Sequence, residues 1–162
     1  MKLDQIAYYI HNERQAAAVA AYHGLNLSDF SVEDRVVGKV ACGRKFDPND
    51  TSTYTMSKAH LRFNYSLGIE LELLTYEEGF HWHMGSTPFE RGSAFLSHHG
   101  FHMEPGERIP AMMNHCPVAQ HMITESHTNP YLIENGRRYE YLIVDTLAML
   151  GNYSKFIWRI EG

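Results

Sequence analysis

Leu67-Gly68-Ile69-Glu70-Leu71-Glu72-Leu73-Leu74-Thr75-Tyr76-Glu77-Glu78-Gly79 lies without a gap on Leu150-Gly151-Asn152-Tyr153-Ser154-Lys155-Phe156-Ile157-Trp158-Arg159-Ile160-Glu161-Gly162. Leu-Gly opens both stretches and Glu-Gly closes both. Each reads as a strand that follows a glycine turn. Near the starts of the two halves, Leu3-Asp4-Gln5-Ile6-Ala7-Tyr8 pairs with Ser97-His98-His99-Gly100-Phe101-His102. Identity is low, but the matches fall at equivalent places in two strings of elements, which is how an internal repeat shows itself.

Outward from these stretches the same order of elements appears twice. Residues 3–10 mix β-branched, aromatic and apolar side chains and read as a strand. Asn12 with Gln15 three positions on is a helix-start pair, and Gly24 suits a left-handed helix end, which predicts a helix over residues 13–23. Strands are expected at 35–46, 60–65 and 69–76, with Ser66, Leu67 and Gly68 as a tight connection. Four Gly or Pro positions, Gly79, Gly85, Pro88 and Gly92, mark a linker. The second half then offers a strand at 96–103, a short helix at 109–115 through Pro110, and strands at 118–126, 138–145 and 155–160. The expected architecture is α+β, with tandem βαβββ modules forming a cupped, mostly antiparallel sheet. Residues 1–79 are the first module, 80–95 the linker and 96–162 the second module.

With 44% hydrophobic and 20% charged residues, the 162-residue chain has the composition of a globular domain that buries a core. A net charge of -5 without a Lys/Arg stripe argues against nucleic acid as a partner. No apolar run reaches the length a bilayer needs, and Cys42 and Cys116 are too few to staple the fold, so a reduced, cytoplasmic setting without membrane attachment is expected. Phosphate-cradling GxGxxG and Gly-Lys-Ser/Thr patterns are missing, as is Cys-x-x-Cys. Eleven histidines are the feature that invites a chemical reading.

Side chains alternate along a strand, so Glu70 and Glu72 share a face, and His99 shares one with Phe101 and Met103 while His98 and His102 face the other way. One carboxylate at a solvated edge and the other in an ion pair would also explain the acidic pair. His81 and His83 are a two-ligand candidate for zinc, iron or nickel, or simply members of a His-rich loop. His121 and His127 read as structural, and Arg137 and Arg138 beside Tyr139 and Tyr141 as a solvated strand start or an anion contact.

In order and spacing, Leu-Asp-Gln-Ile-Ala at 3–7, Ile-Glu-Leu-Glu-Leu-Leu at 69–74, Ser-His-His-Gly-Phe at 97–101, Asp-Thr at 145–146 and Leu-Gly at 150–151 resemble the vicinal oxygen chelate superfamily of glyoxalases, extradiol dioxygenases and bleomycin resistance proteins. The resemblance implies that the first and last strand of each module point metal ligands into a shared cup. By position these are Gln5, Glu72 and His99, with Lys155 at the fourth corner. A protonated ammonium does not coordinate and repels a cation held by the other three. Lys155 therefore either pairs with Glu72, swings out, acts as a base or anion anchor, or marks a different register.

The implied activity is metal-assisted lyase, isomerase or ring-cleavage chemistry on a small oxygenated substrate. It would use Fe, Zn, Ni or Mn, with Glu72 and Lys155 catalytic and Tyr8, Phe101 and Trp158 against the substrate. The rival is a metal-free small-molecule binding or sequestration protein of the bleomycin-resistance type, with Lys155 replacing a ligand. A homodimer is expected, since open half-cups expose sheet edges.

Overall fold

The computed structural model describes residues 1–40, 54–79, 83–126 and 137–160. The first half runs β1 (Lys2–Tyr9), α1 (Glu13–Tyr22), β2 (Ser31–Val40), β3 (Tyr54–Asn64) and β4 (Glu70–Gly79). After a helical turn (Thr87–Glu90) the second runs β5 (Phe95–Met103), a 3-10 turn (Ala111–His115), β6 (Val118–Ser126), β7 (Arg137–Val144), a helical turn (Leu147–Leu150) and β8 (Tyr153–Ile160). The tandem α+β order expected from the sequence is present. The strand expected at 60–65 begins earlier, at Tyr54, and two further differences concern the second helix and the second strand. The second module has a 3-10 turn where a helix was expected, because Pro110 starts it and few residues remain before Cys116. The strand expected at 35–46 begins earlier, at Ser31, and its residues beyond 40 lie outside the described set.

All eight strands form one sheet in the order β2-β3-β4-β1-β5-β8-β7-β6. Each module fills one half, and the two halves join within the chain through the antiparallel β1·β5 ladder. Two pairings are parallel, β1 with β4 and β5 with β8, and the other pairings are antiparallel. The edge strands β2 and β6 approach one another, so the sheet curls into a cup, and no ladder closes it among the described residues.

The helix start follows the sequence logic with a shift of one residue. Asn12 Oδ1 accepts from Gln15 N at 3.0 Å, and Gln15 Oε1 reaches back to His11 N at 2.8 Å rather than to the cap itself. Gly24 takes a φ of 74°, the left-handed value that ends the helix without a Cβ penalty. Ala16 and Ala20 then lie on Leu71 and Leu73 of β4, with Ile10 and Phe30 alongside, and Arg62 Nη2 of β3 reaches Glu13 Oε1 at 3.0 Å. Fully burying each leucine contributes about 1.5–3 kcal/mol. On the second module Met103, Met113, Val144 and Phe156 cover the convex face.

The concave face carries a separate apolar group, Ala7, Tyr9, Ala59, Leu61, Phe63, Leu74, Tyr141 and Ile157. Among these apolar side chains sit the buried polar groups of the two central strands and their parallel neighbours. No helix among the described residues is long and apolar enough to cross a membrane.

Candidate functional site

Two β-bulges decide which side chains enter the cup. On β1 the register passes from Leu3 opposite Phe101 to Gln5 opposite Gly100, leaving Asp4 as the extra residue. On β5 it passes from His98 opposite Ala7 to Leu96 opposite Tyr8, leaving Ser97 as the extra residue. The bulges are related by the internal repeat, so Gln5 corresponds to His98 and Ala7 to Gly100. A bulge re-aims the side chain beside it. The parallel partners complete the correspondence: Ala7 lies opposite Glu72 and Gly100 opposite Lys155.

Gln5, Glu72, His98 and Lys155 consequently meet inside the cup. His98 Nε2 lies 3.1 Å from Gln5 Oε1 and 3.3 Å from Glu72 Oε2. Lys155 Nζ lies 3.8 Å from Glu72 Oε2 and 5.1 Å from the centroid of the Tyr141 ring. Gln5 Nε2 donates to Glu70 Oε1, a carboxylate that is 0% exposed. Behind His98, Ser97 Oγ is 3.0 Å from Nδ1, and His83 Nε2 is 2.8 Å from the same oxygen. His83 is boxed by Tyr9, Tyr76, Phe95 and Tyr153, with ring centroids 4.7 to 5.9 Å away.

His99, expected as the third ligand, lies on the convex side, its Nδ1 2.8 Å from Asn152 Nδ2. Setting the bulge at Ser97 against the bulge at Asp4, rather than Ser97 against Leu3, moves the match between the first strands by one residue and puts His98 at that corner. Tyr8, Phe101 and Trp158, expected against the substrate, also lie on the convex side. Phe101 and Trp158 pack near Phe156, and Tyr8 lines an outer cavity of about 440 Å³ with Gln15, Ala18, Val19, Tyr22 and Ala94. Strand parity gives the reason: Tyr9 and Ile157, one position away, are the inward residues.

Of the other histidines, His102 Nδ1 bonds Asp4 Oδ1, and His121 Nε2 meets Glu140 Oε1 at 2.5 Å. Arg137 and Arg138 stand at the start of β7, and Tyr141 points into the cup. His81, His127 and Cys42 lie outside the described residues. Apart from the centre, Asp34, His60 and Glu77 bring ligand atoms within 4.8 Å of one another on the first module.

Sequence reasoning named Glu70 and His83 without placing them at this centre, and it missed Ser97 and the placing of His98. The signal available was the doubled polar residue in each central strand, Asp4-Gln5 and Ser97-His98, which is what a bulge leaves in a sequence. A second signal was Gly100. A Cβ there would lie 2.6 Å from Gln5 Cβ and would also overlap Gln5 Oε1, so the residue must be glycine for Gln5 to lie across β5.

Three donors of types that suit a divalent cation converge here. Ligands about 2.1 Å from a tetrahedral or octahedral cation are about 3.0–3.4 Å from one another, and the 3.1 and 3.3 Å separations at His98 match. Lys155 opposes the fit as a charge, but by formal count it balances one of the two buried carboxylates, Glu70 and Glu72, and leaves one in excess. In donor type and in both separations from His98 Nε2 the set fits a cation.

Burial pushes the His98 pKa below the ordinary imidazole value, against the opposing hydrogen bond with Glu72. The unfolded chain then binds a proton that the folded chain does not. Stability therefore falls as pH drops below about 6.5 and levels off beneath the folded value. Urea unfolding between about pH 7.5 and 5.5 is expected to show this slope, and His98→Gln to lose its share of it. His11, pushed the same way by burial, keeps its own share in that variant.

No family model matches the chain, and no curated protein matches it. Among solved structures, a methylmalonyl-CoA epimerase from Mycobacterium tuberculosis has 8% identity and a TM-score of 0.45, over 98% of this chain and 88% of that one. A Streptomyces coelicolor methylmalonyl-CoA epimerase in complex with 2-nitronate-propionyl-CoA has 9% identity and a TM-score of 0.41, over 99% of each. A hypothetical protein from Bacillus halodurans C-125 has 12% identity and a TM-score of 0.44, over 99% and 96%. At these values the likeness carries no argument about activity. The architecture rests on the strand order and register.

Proposed function

We propose that the concave centre is the active site of a small-molecule enzyme of isomerase or lyase type, which moves a proton at a carbon beside an oxygen held in the cup. Gln5 Oε1, Glu72 Oε2 and His98 Nε2 are the donors for a divalent cation, with Fe, Zn, Ni and Mn as the candidates. Such a cation supplies Lewis-acid stabilisation of enolate or oxyanion charge. Lys155, between Glu72 and the Tyr141 ring, takes and returns the proton as an amine–ammonium pair. The apolar wall of Tyr9, Phe63 and Leu74 excludes water from the exchanged proton.

The observation that carries this reading is the meeting of Gln5, Glu72 and His98 around one point, with Lys155 in the fourth position. Buried ionisable groups are costly to keep unless they serve a purpose. The test is exchange of carbon-bound hydrogen in D2O, followed by proton NMR. The protein is reloaded with each metal and given carbon acids whose reacting carbon lies beside an oxygenated group. Exchange by the parent, reduced at least about a hundredfold in Lys155→Met, is expected. Absence of exchange across metals and substrates would reject the enzyme.

The Lys155–Glu72 approach of 3.8 Å favours a second reading, a metal-free binder whose ammonium replaces the cation. That protein would retain no metal after reloading and would bind its ligand equally well in chelator.

A further inference from the structure

Both ring nitrogens of His98 are engaged, and their partners fix the direction of the hydrogen bonds. The Gln5 amide is oriented by its far end, where Nε2 donates to Glu70 Oε1, so Oε1 is the atom turned to His98. His98 Nε2 thus faces a carbonyl oxygen and a carboxylate oxygen, both acceptors. In the cation-free protein Nε2 therefore carries the hydrogen. Nδ1 of the neutral ring accepts from the Ser97 hydroxyl, and Ser97 Oγ in turn accepts from His83 Nε2. Ser97 and His83 are 0% exposed and His98 is 2% exposed, so water does not substitute for a member of the chain without rearrangement.

The cation site proposed above needs the other arrangement, because a nitrogen that carries hydrogen cannot coordinate. We infer that Ser97 and His83 are positioning residues that form one reversible hydrogen-bond chain behind His98, setting its tautomer and reversing when a divalent cation takes Nε2. The reversal balances. His98 loses the Nε2 proton and gains at Nδ1 the proton of the Ser97 hydroxyl; Ser97 takes the Nε2 proton of His83; and His83 gains a proton at Nδ1. The proton released from His98 Nε2 goes to bulk water and the one gained at His83 Nδ1 comes from bulk water, so every ring stays neutral. His83 approaches from the segment between the modules, so that segment bears on cation affinity at a distance from the ligands.

This inference rests on the cation-site reading, and imidazole nitrogen NMR with Zn2+ as the probe separates the two. Before Zn2+, His98 and His83 are expected as Nε2–H tautomers; with Zn2+ bound, both are expected as Nδ1–H. Ser97→Ala is expected to lower Zn2+ affinity about 10- to 100-fold, and Ser97→Thr to restore it by keeping the hydroxyl. If His98 switches while His83 does not, or if Ser97→Ala holds Zn2+ as tightly as the parent, the chain is overturned and the cation site survives. If the parent takes up no Zn2+, the cation site and the reversal both fall. The resting order is then judged by the two Nε2–H tautomers and by release of the His83 tautomer in Ser97→Ala; any other pair overturns it.

Discussion

Lys155→Met lowers the stability of the metal-free protein by about 3–5 kcal/mol and raises its affinity for divalent cations at least about tenfold. The two effects have one origin. Glu72 is 4% exposed and Glu70 is 0% exposed, and Lys155 brings the cationic charge that lies against Glu72. Removing one partner of a buried pair leaves a charge without compensation, which costs far more than a surface ion pair is worth. Methionine keeps the length and apolar stem of the lysine, so lost packing contributes little. The same change removes a positive charge about 4 Å from the ligand oxygen. At an effective dielectric constant of about 20 that repulsion amounts to several kcal/mol against a divalent ion, and about 1.4 kcal/mol already makes tenfold. Chemical unfolding in chelator and calorimetric titration with Zn2+ read the two numbers. Lower stability together with unchanged cation affinity would place the cation elsewhere.

Gly100→Ala is the second large effect. The added methyl would sit 2.6 Å from Gln5 Cβ, a backbone-anchored atom that cannot swing aside. β1 and β5 must separate there or Gln5 must change rotamer, at a cost of about 1–3 kcal/mol for overpacking. The second route also takes an acceptor from His98 Nε2 and a donor from the buried Glu70, each of which adds a desolvation penalty of about 1–3 kcal/mol. Thermal unfolding is expected to show the loss, and Zn2+ affinity to fall with it. An alanine variant as stable as the parent would mean that Gln5 does not lie across β5.

How much of this was legible in the sequence depended on where the chain keeps strict alternation. The match of Leu67–Gly79 with Leu150–Gly162 correctly aligned Glu72 with Lys155, because β4 and β8 run without interruption through those residues. The helix start at Asn12 and Gln15 was readable because capping is local chemistry, settled within four residues. The choice between His98 and His99 was not readable in the same way. The parity count from His98 to Met103 held, because the bulge at Ser97 precedes it, but the gapless match set Leu3 against Ser97, whereas the equivalent bulges at Asp4 and Ser97 set Gln5 against His98. Tyr8, Phe101 and Trp158 lie outside the cup for another reason: aromatic side chains fit either face of a sheet covered on both sides, and composition does not say which face is the cup. His83 comes from a turn rather than a strand, so its alternate spacing with His81 did not point to its place behind Ser97 and His98.

Gln5, Glu72 and His98 are the proposed ligands of one cation, and an anomalous-difference map from crystals grown with Zn2+ tests that most directly. The expected peak lies about 2.0–2.2 Å from Gln5 Oε1, Glu72 Oε2 and His98 Nε2, with Lys155 outside its coordination sphere. A peak bound by His99, a peak confined to Asp34, His60 and Glu77, or a concave centre without density at saturating Zn2+ would contradict it.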